Sequence, residues 1–456
     1  MKIGSVIKCV IYVFVFFAFA KAYTQESQLD YLSRQEAVRQ MLENNFGIKL
    51  ANNQVSVAEN NTSILNSNYL PTVFGLAGAN FDRTSSNTDF NGALDQNGNP
   101  RPDFEILDAE TTRYDASINA SYTLFDGLGR YYNYKQLKER YNLSQLEARE
   151  TIENTMLQLF SVYYEVARIE ENLNVLRDAL EISKERETRA SYQFEYGQVN
   201  KLEILNAQVD IVTDSINILN TQQQLRNAQR DLNVVLAREL EDLKSTDTTL
   251  VFLNELVMES YVEKAKSNNV SLLQAEQDIV ITDYEIKKTK GLFLPTIGLT
   301  GSYGWNLSNN PASAFFPGTT RTSNTLAAGA SLRWNLFDGG QSVVGLKNAK
   351  IALDSQQLLK EQLEQQVYRD IANAEGNYKN ALAIYRLQEQ NVITNQANFE
   401  RSQERFKLGQ VTSIEFRQAQ LNLLNAQTTK NAAKYTAKLA EIQLLQLTGQ
   451  LLNVDF

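Results

Sequence analysis

The stretch "YDASINASYTLFDG", residues 114–127, decides how this chain is built. Tyr114, Ala116, Ile118, Ala120, Tyr122 and Leu124 alternate with Asp115, Ser117, Asn119, Ser121 and Thr123. A period of two is a strand with one apolar and one polar face. The alternation lasts about 10–12 residues, the length that crosses a bilayer when tilted. Tyr114 and Tyr122 stand near its ends, where a membrane interface holds aromatic rings. The same alternation would also suit a soluble sandwich with one wet face, so the rest of the chain has to separate the two.

The pattern occurs in both halves of the chain. Ile297, Leu299, Gly301, Tyr303 and Trp305 alternate with polar or small residues, and so do Leu326, Ala328, Ala330, Leu332, Trp334 and Leu336. A less regular fourth segment carries Val73, Ala77, Ala79 and Phe81. Arg333 and Asp115 set the orientation. A basic group on the lipid face at mid-membrane costs about 2–4 kcal/mol, so the polar face looks into a wet lumen.

The motifs around these segments are duplicated. Leu-Phe-Asp-Gly at 124 returns at 336, and Gly-Gln-Val at 197 returns at 409, both offset by 212. Leu-Pro-Thr at 70 returns at 294, offset by 224. Each half therefore reads helix, strand, variable loop, strand, long helix, turn, long helix. Pro71 and Pro295 end helices and open strands. Asp126 and Asp338 precede the long helices, each followed by Gly127 or Gly339, and suit helix caps better than an ion site. The stretches at roughly 82–112 and 307–325 are rich in Asn, Asp, Ser and Gly and predict polar loops.

The remainder is helical. Ile152, Met156, Leu159, Tyr163, Val166, Ile169, Leu173, Leu176 and Leu180 step by threes and fours, as do Leu202, Leu205, Val209, Val212, Ile216 and Leu219. That spacing predicts coiled-coil packing between neighbouring helices. No proline interrupts residues 128–195, which as one helix would run ~100 Å.

Composition removes several functions. The 456 residues contain no histidine and one cysteine. Histidine triads and His-containing zinc sites are therefore excluded. Cys9 opens an apolar run, Cys9–Ala20, which follows Lys2 and Lys8 and leads into the small-x-small site Ala20-Lys21-Ala22; together these predict a cleaved secretory leader over 1–22. Its removal would take the net charge from −9 to −12. An acidic chain with no basic stripe is a poor nucleic-acid binder. No nucleotide-binding or nucleophile motif is found, and neither an enzyme, a cofactor nor a metal is expected.

Four strands cannot close a barrel, and open edges in lipid leave backbone groups unsatisfied. Three copies would pool twelve strands. At this point the ordered double set of motifs resembles the TolC family of outer-membrane efflux proteins, over essentially the whole mature chain. The resemblance implies a mixed, mainly α fold: a trimeric α-helical barrel continuous with a 12-stranded transmembrane β-barrel, four strands per chain, in two internal repeats. The first repeat would span 23–236, with strands at about 72–82 and 113–125 and helices at about 128–195 and 199–236. A linker would fill 237–254. The second repeat would span 255–448, with strands at about 296–306 and 326–337 and helices at about 341–407 and 412–448, before a tail at 449–456.

The resemblance further implies an outer-membrane location with a periplasmic extension. The chain would export small molecules or proteins in a tripartite efflux or type I secretion system. Its partners would be two further copies, outer-membrane lipid, a periplasmic membrane-fusion adaptor and an inner-membrane pump of the RND or ABC type. Gly197, Gln198 and Val199, with Gly409, Gln410 and Val411, would form the tip turns that dock the adaptor. Glu415 matches an acidic entrance position, with Glu203 as its first-repeat counterpart; either could equally be an ordinary first-turn helix residue. The alternative is a helical periplasmic scaffold or adaptor without a membrane barrel.

Overall fold

The computed structural model describes residues 31–312 and 317–454; the leader expected at 1–22 lies outside them. In chain order the elements are β1 (Tyr31–Leu32), α1 (Arg34–Asn44), α2 (Phe46–Asn61), β2 (Thr72–Thr88), β3 (Phe104–Asp126), α3 (Gly129–Glu195) and α4 (Lys201–Leu236). There follow β4 (Ser245–Thr246), α5 (Glu255–Asn268), α6 (Val270–Lys290), β5 (Thr296–Asn310), β6 (Thr319–Arg333), α7 (Gln341–Lys407) and α8 (Ser413–Leu447). The chain forms two compact units, one from residues up to 54, 145–274 and from 360 on, the other from 55–144 and 275–359.

The second unit holds an antiparallel sheet in the order β2-β3-β5-β6, so the two repeats each give a hairpin and meet at β3–β5. Its register puts like with like. Gly75, Ile118, Tyr303 and Leu326 form one row, and Val73, Ala120, Gly301 and Ala328 the next, all on one face. The opposite face carries Asp115 beside Asn306, Ser121 beside Thr300, and Gly298 beside Ser331. Phe74 and Leu76 are the exceptions on that polar face, opposite Asn119 and Ser117. A bulge between Thr123 and Phe125 hands the last apolar place on β3 to Phe125, opposite Ile297. The apolar face ends at the other side in a charged pair, Arg83–Glu110, two rows beyond Ala79–Tyr114. From Tyr114 to Leu124 a strand rises ~33 Å, which at a tilt of ~40° gives a band of ~25 Å, the height of a membrane barrel's apolar belt.

The strands are longer and the loops shorter than the sequence predicts. β2 and β3 remain paired out to Thr88 opposite Phe104, and β5 and β6 out to Asn310 opposite Thr319. Beyond the apolar band both faces are wet, so the hydrophobic alternation stops while the backbone ladder continues. At its other end β6 stops at Arg333, short of the expected 337. Trp334 has left the ladder, and its indole N–H donates to the Phe293 carbonyl at 3.2 Å.

Each strand-to-helix junction is closed by its aspartate. One Asp126 oxygen accepts from the Arg130 backbone N–H at 2.9 Å, and Asp338 accepts from Gly340 and Ser342 N–H at 3.1 and 2.9 Å. Strands begin directly after Pro71 and Pro295. Gly127, at φ +68°, lies so close to Gly291 that a Cβ would stand 2.3 Å from its carbonyl oxygen. Gly127→Ala is expected to cost ~2 kcal/mol or more through left-handed strain and overpacking. Gly345→Ala, inside α7 and with nothing nearer its Cβ than 3.9 Å, serves as the control in a thermal melt and is expected to stabilise by about 0.5–1 kcal/mol.

The first unit is helical. On α3, Met156, Leu159, Tyr163, Val166 and Ile169 are buried, forming with Leu232, Leu236, Ile442 and Leu445 one core; Leu173 is buried further along the helix. The Tyr163 hydroxyl donates to the Leu32 carbonyl at 2.8 Å and accepts from Asp247 N–H at 2.9 Å, tying the short parallel pair β1–β4 to that core. The other predicted stripe differs. Leu202, Leu205, Val209, Val212, Ile216 and Leu219 on α4 are 48–64% exposed. Among the described residues of the chain, none covers this stripe as a coiled-coil partner would.

Candidate functional site

The two Gly-Gln-Val turns have one backbone design. Gly197 N–H donates to the Phe194 carbonyl at 2.9 Å and Gln198 N–H to Gln193 at 2.8 Å; Gly409 and Gln410 repeat this with Phe406 and Arg405 at 3.1 and 2.8 Å. These are Schellman closures, and the glycines stand at φ +70° and +72°, where a side chain is strained. Apolar residues at matching places flanking the turns are exposed: Tyr196 with Leu408, and Leu202 with Ile414, at 59–79%. Val199 and Val411 are half-buried and Gln198 and Gln410 exposed.

The helices leaving the turns are capped differently. Asn200 accepts from Leu202 N–H at 3.0 Å. Thr412 and Glu415 form a reciprocal capping box, with the Glu415 carboxylate accepting from Thr412 N–H at 2.7 Å and its side chain at 2.9 Å. Those bonds, the backbone one first, hold the Glu415 carboxyl below the usual carboxylate range. The lowered pKa means that this capping is complete above the ordinary carboxylate range and is lost as pH falls through the folded value. Glu203 occupies the same third position of its helix without the box, and one of its carboxylate oxygens is buried with no hydrogen-bond partner among the described residues.

Behind the tips, in the second turn of α8 and the third and fourth of α4, lies an ionic cluster that the sequence does not announce. Arg417 on α8 grips Asp214 on α4 with two nitrogens, at 2.7 and 2.9 Å. Ser183 on α3 donates to Asp214 at 2.6 Å and accepts from Arg417 at 3.1 Å. Gln420 accepts from Arg417 at 3.0 Å and donates to the Ala179 carbonyl at 2.7 Å. Arg186 pairs with Asp210, one turn before Asp214. Asp214 and Arg186 are only 2% and 3% exposed. Burial, with Arg417 close by, lowers the Arg186 pKa to about 10. In sequence these residues resemble the solvated face of a helix. The only hint is the i,i+4 spacing of Asp210 and Asp214.

Among the described residues no group of three acidic, Cys or His side chains could hold a metal, and no helix is long and apolar enough to cross a membrane. The latter says nothing of a β-barrel.

Comparison with known proteins agrees with this architecture. The model of the outer membrane efflux protein family matches residues 37–238 and 261–450. The outer membrane protein TolC of Vibrio cholerae is 24% identical over 307 residues, covering 67% of this chain and 70% of the relative. The outer membrane efflux protein BepC of Brucella suis is 20% identical over 334 residues, covering 73% and 72%. Among solved structures, the Campylobacter jejuni CmeC outer membrane channel superposes with a TM-score of 0.69 at 18% identity, covering 91% of this chain and 85% of that one. The open state of the Neisseria gonorrhoeae MtrE outer membrane channel gives 0.67 at 17%, covering 91% and 89%. With its two repeats both matched, the chain belongs to the outer membrane efflux protein family.

Proposed function

We propose that three copies of this outer-membrane efflux protein pool their strands into one twelve-stranded barrel, and that the tip turns receive a periplasmic adaptor joined to an inner-membrane pump. The observation that carries the reading is the sheet. It has a continuous apolar face of membrane height and two unpaired edges, β2 and β6. Edges of that length in lipid leave a row of backbone groups unsatisfied unless another copy supplies a strand. The exposed apolar stripe on α4 asks for the same neighbour in the helical unit. A helical scaffold would leave the apolar sheet face without a matching solvent. Export requires no catalytic group here, because the driving energy belongs to the pump.

The native mass of the detergent-extracted mature protein tests this. Three chains are expected; a monomer that stays soluble without detergent would overturn it. At the tips, exposed Tyr196, Leu202, Leu408 and Ile414 supply apolar contacts for the adaptor on both turns. Three chains would also gather Glu203 and Glu415 around the entrance, where carboxylates favour cations. Glu415→Gln is expected to reduce cation preference or divalent block in single-channel recordings. Unchanged recordings would leave Glu415 with its capping role alone.

A further inference from the structure

Beside the ionic cluster, α3, the end of α7 and the start of α8 line an open cleft of about 420 Å³. That volume lies in the range of small-molecule sites. Its floor is apolar: Phe406 stacks on Phe416 at 4.9 Å between ring centroids, with Ile182 alongside. Tyr192, 59% exposed, stands at its mouth.

Two guanidinium groups line it. Arg189 lies over the Phe406 ring, 5.4 Å from the centroid, and donates to the Lys407 carbonyl. No carboxylate pairs with Arg189 among the described residues, and its Nε is buried without an acceptor. Arg186, 3% exposed, gives one nitrogen to Asp210 and also feels the carboxylates of Asp214 and Glu203, while its Nε has no acceptor. The other cations of the lining are engaged: Lys184 with Glu181 at 3.4 Å and Lys407 with Glu404 at 2.8 Å. Glu185 stands on the exposed rim.

A buried donor without an acceptor is costly, and a guanidinium satisfies it best with a carboxylate. An aromatic floor takes a flat apolar body. We propose that this cleft binds a small organic anion, its ring lying against Phe406 and Tyr192 and its carboxylate paired with Arg189, with Arg186 behind it. The assignment rests on the helical unit alone and is independent of how many chains assemble. Because Arg186 is shared with the ionic cluster, an occupant also acts on the bond to Asp210.

The probe is 2-naphthoate against its neutral isostere 2-naphthamide, measured by equilibrium dialysis with the full-length mature protein in lipid nanodiscs and with empty nanodiscs as the blank. Saturable retention of one naphthoate per chain is expected, about ten-fold or more tighter than the amide, since a charge-assisted bond is lost with the amide. Arg189→Gln, which leaves every bond of the ionic cluster in place, should remove that preference. Equal retention of acid and amide by the unaltered protein would mean apolar partition only and would overturn the proposal. So would an acid preference that survives Arg189→Gln. Equal retention by the unaltered protein overturns the proposal even where the variant is unstable.

Discussion

Arginine at Ile118 is expected to abolish the assembled barrel, while arginine at the next residue, Asn119, is tolerated. Both lie on β3, an interior strand, and differ only in the face they occupy. Ile118 sits in the row of Gly75, Tyr303 and Leu326, near the middle of the apolar band and 61% exposed. Asn119 faces the other way, beside Phe74 and Ser302. Basic charge at the lipid midplane costs about 2–4 kcal/mol per copy, and every copy in the barrel would carry it. The readout is the detergent-resistant oligomer on a native gel after outer-membrane extraction. Equal loss from both variants would erase the assignment of faces, and loss from Asn119→Arg alone would reverse it.

Arg417→Met is expected to cost the helical unit about 3–5 kcal/mol, because it strands Asp214 as a buried charge. The pair is not itself expected to be a large source of stability. Replacing both partners, Arg417→Met with Asp214→Leu, should recover much of the loss, since an apolar pair of similar volume avoids two desolvation penalties. Thermal midpoints of the two single variants and the double variant give the coupling directly. Additive losses would show that the two side chains act separately, contrary to the bidentate geometry at 2.7 and 2.9 Å.

Much of this was legible in the sequence, for reasons that can be named. The duplicated Leu-Pro-Thr, Leu-Phe-Asp-Gly and Gly-Gln-Val motifs mark places where a proline, a cap or a left-handed glycine is needed, so local chemistry reports them. The alternation at 114–124 is legible because one face must be apolar. The extension of β2 to Thr88 and the start of β6 at Thr319 were not, because a wet ladder imposes no hydrophobic period. The ionic cluster was hidden for a related reason. Arg417, Asp214 and Ser183 come from three helices, and a polar residue on a long helix has the same letter whether it meets water or another charge. The α4 stripe was legible as a coiled-coil seam, but whether its partner lies in the same chain depends on tertiary placement, which a one-dimensional period does not carry. Glu415 was recognised as acidic and near a turn. Its reciprocal bond to Thr412, and the lack of one at Glu203, follow from Thr412 standing where the first repeat has Asn200.

If the edges of β2 and β6 are paired by further copies, as proposed, pore formation becomes a matter of supply. A chain that closed its own sheet would form conduits in proportion to its synthesis. In the proposed assembly every conduit waits on encounters between chains, so its yield rises with a power of their concentration. A modest fall in expression would therefore remove transport capacity faster than it removes polypeptide, and a defective copy that still associates would spoil the sound chains joined to it.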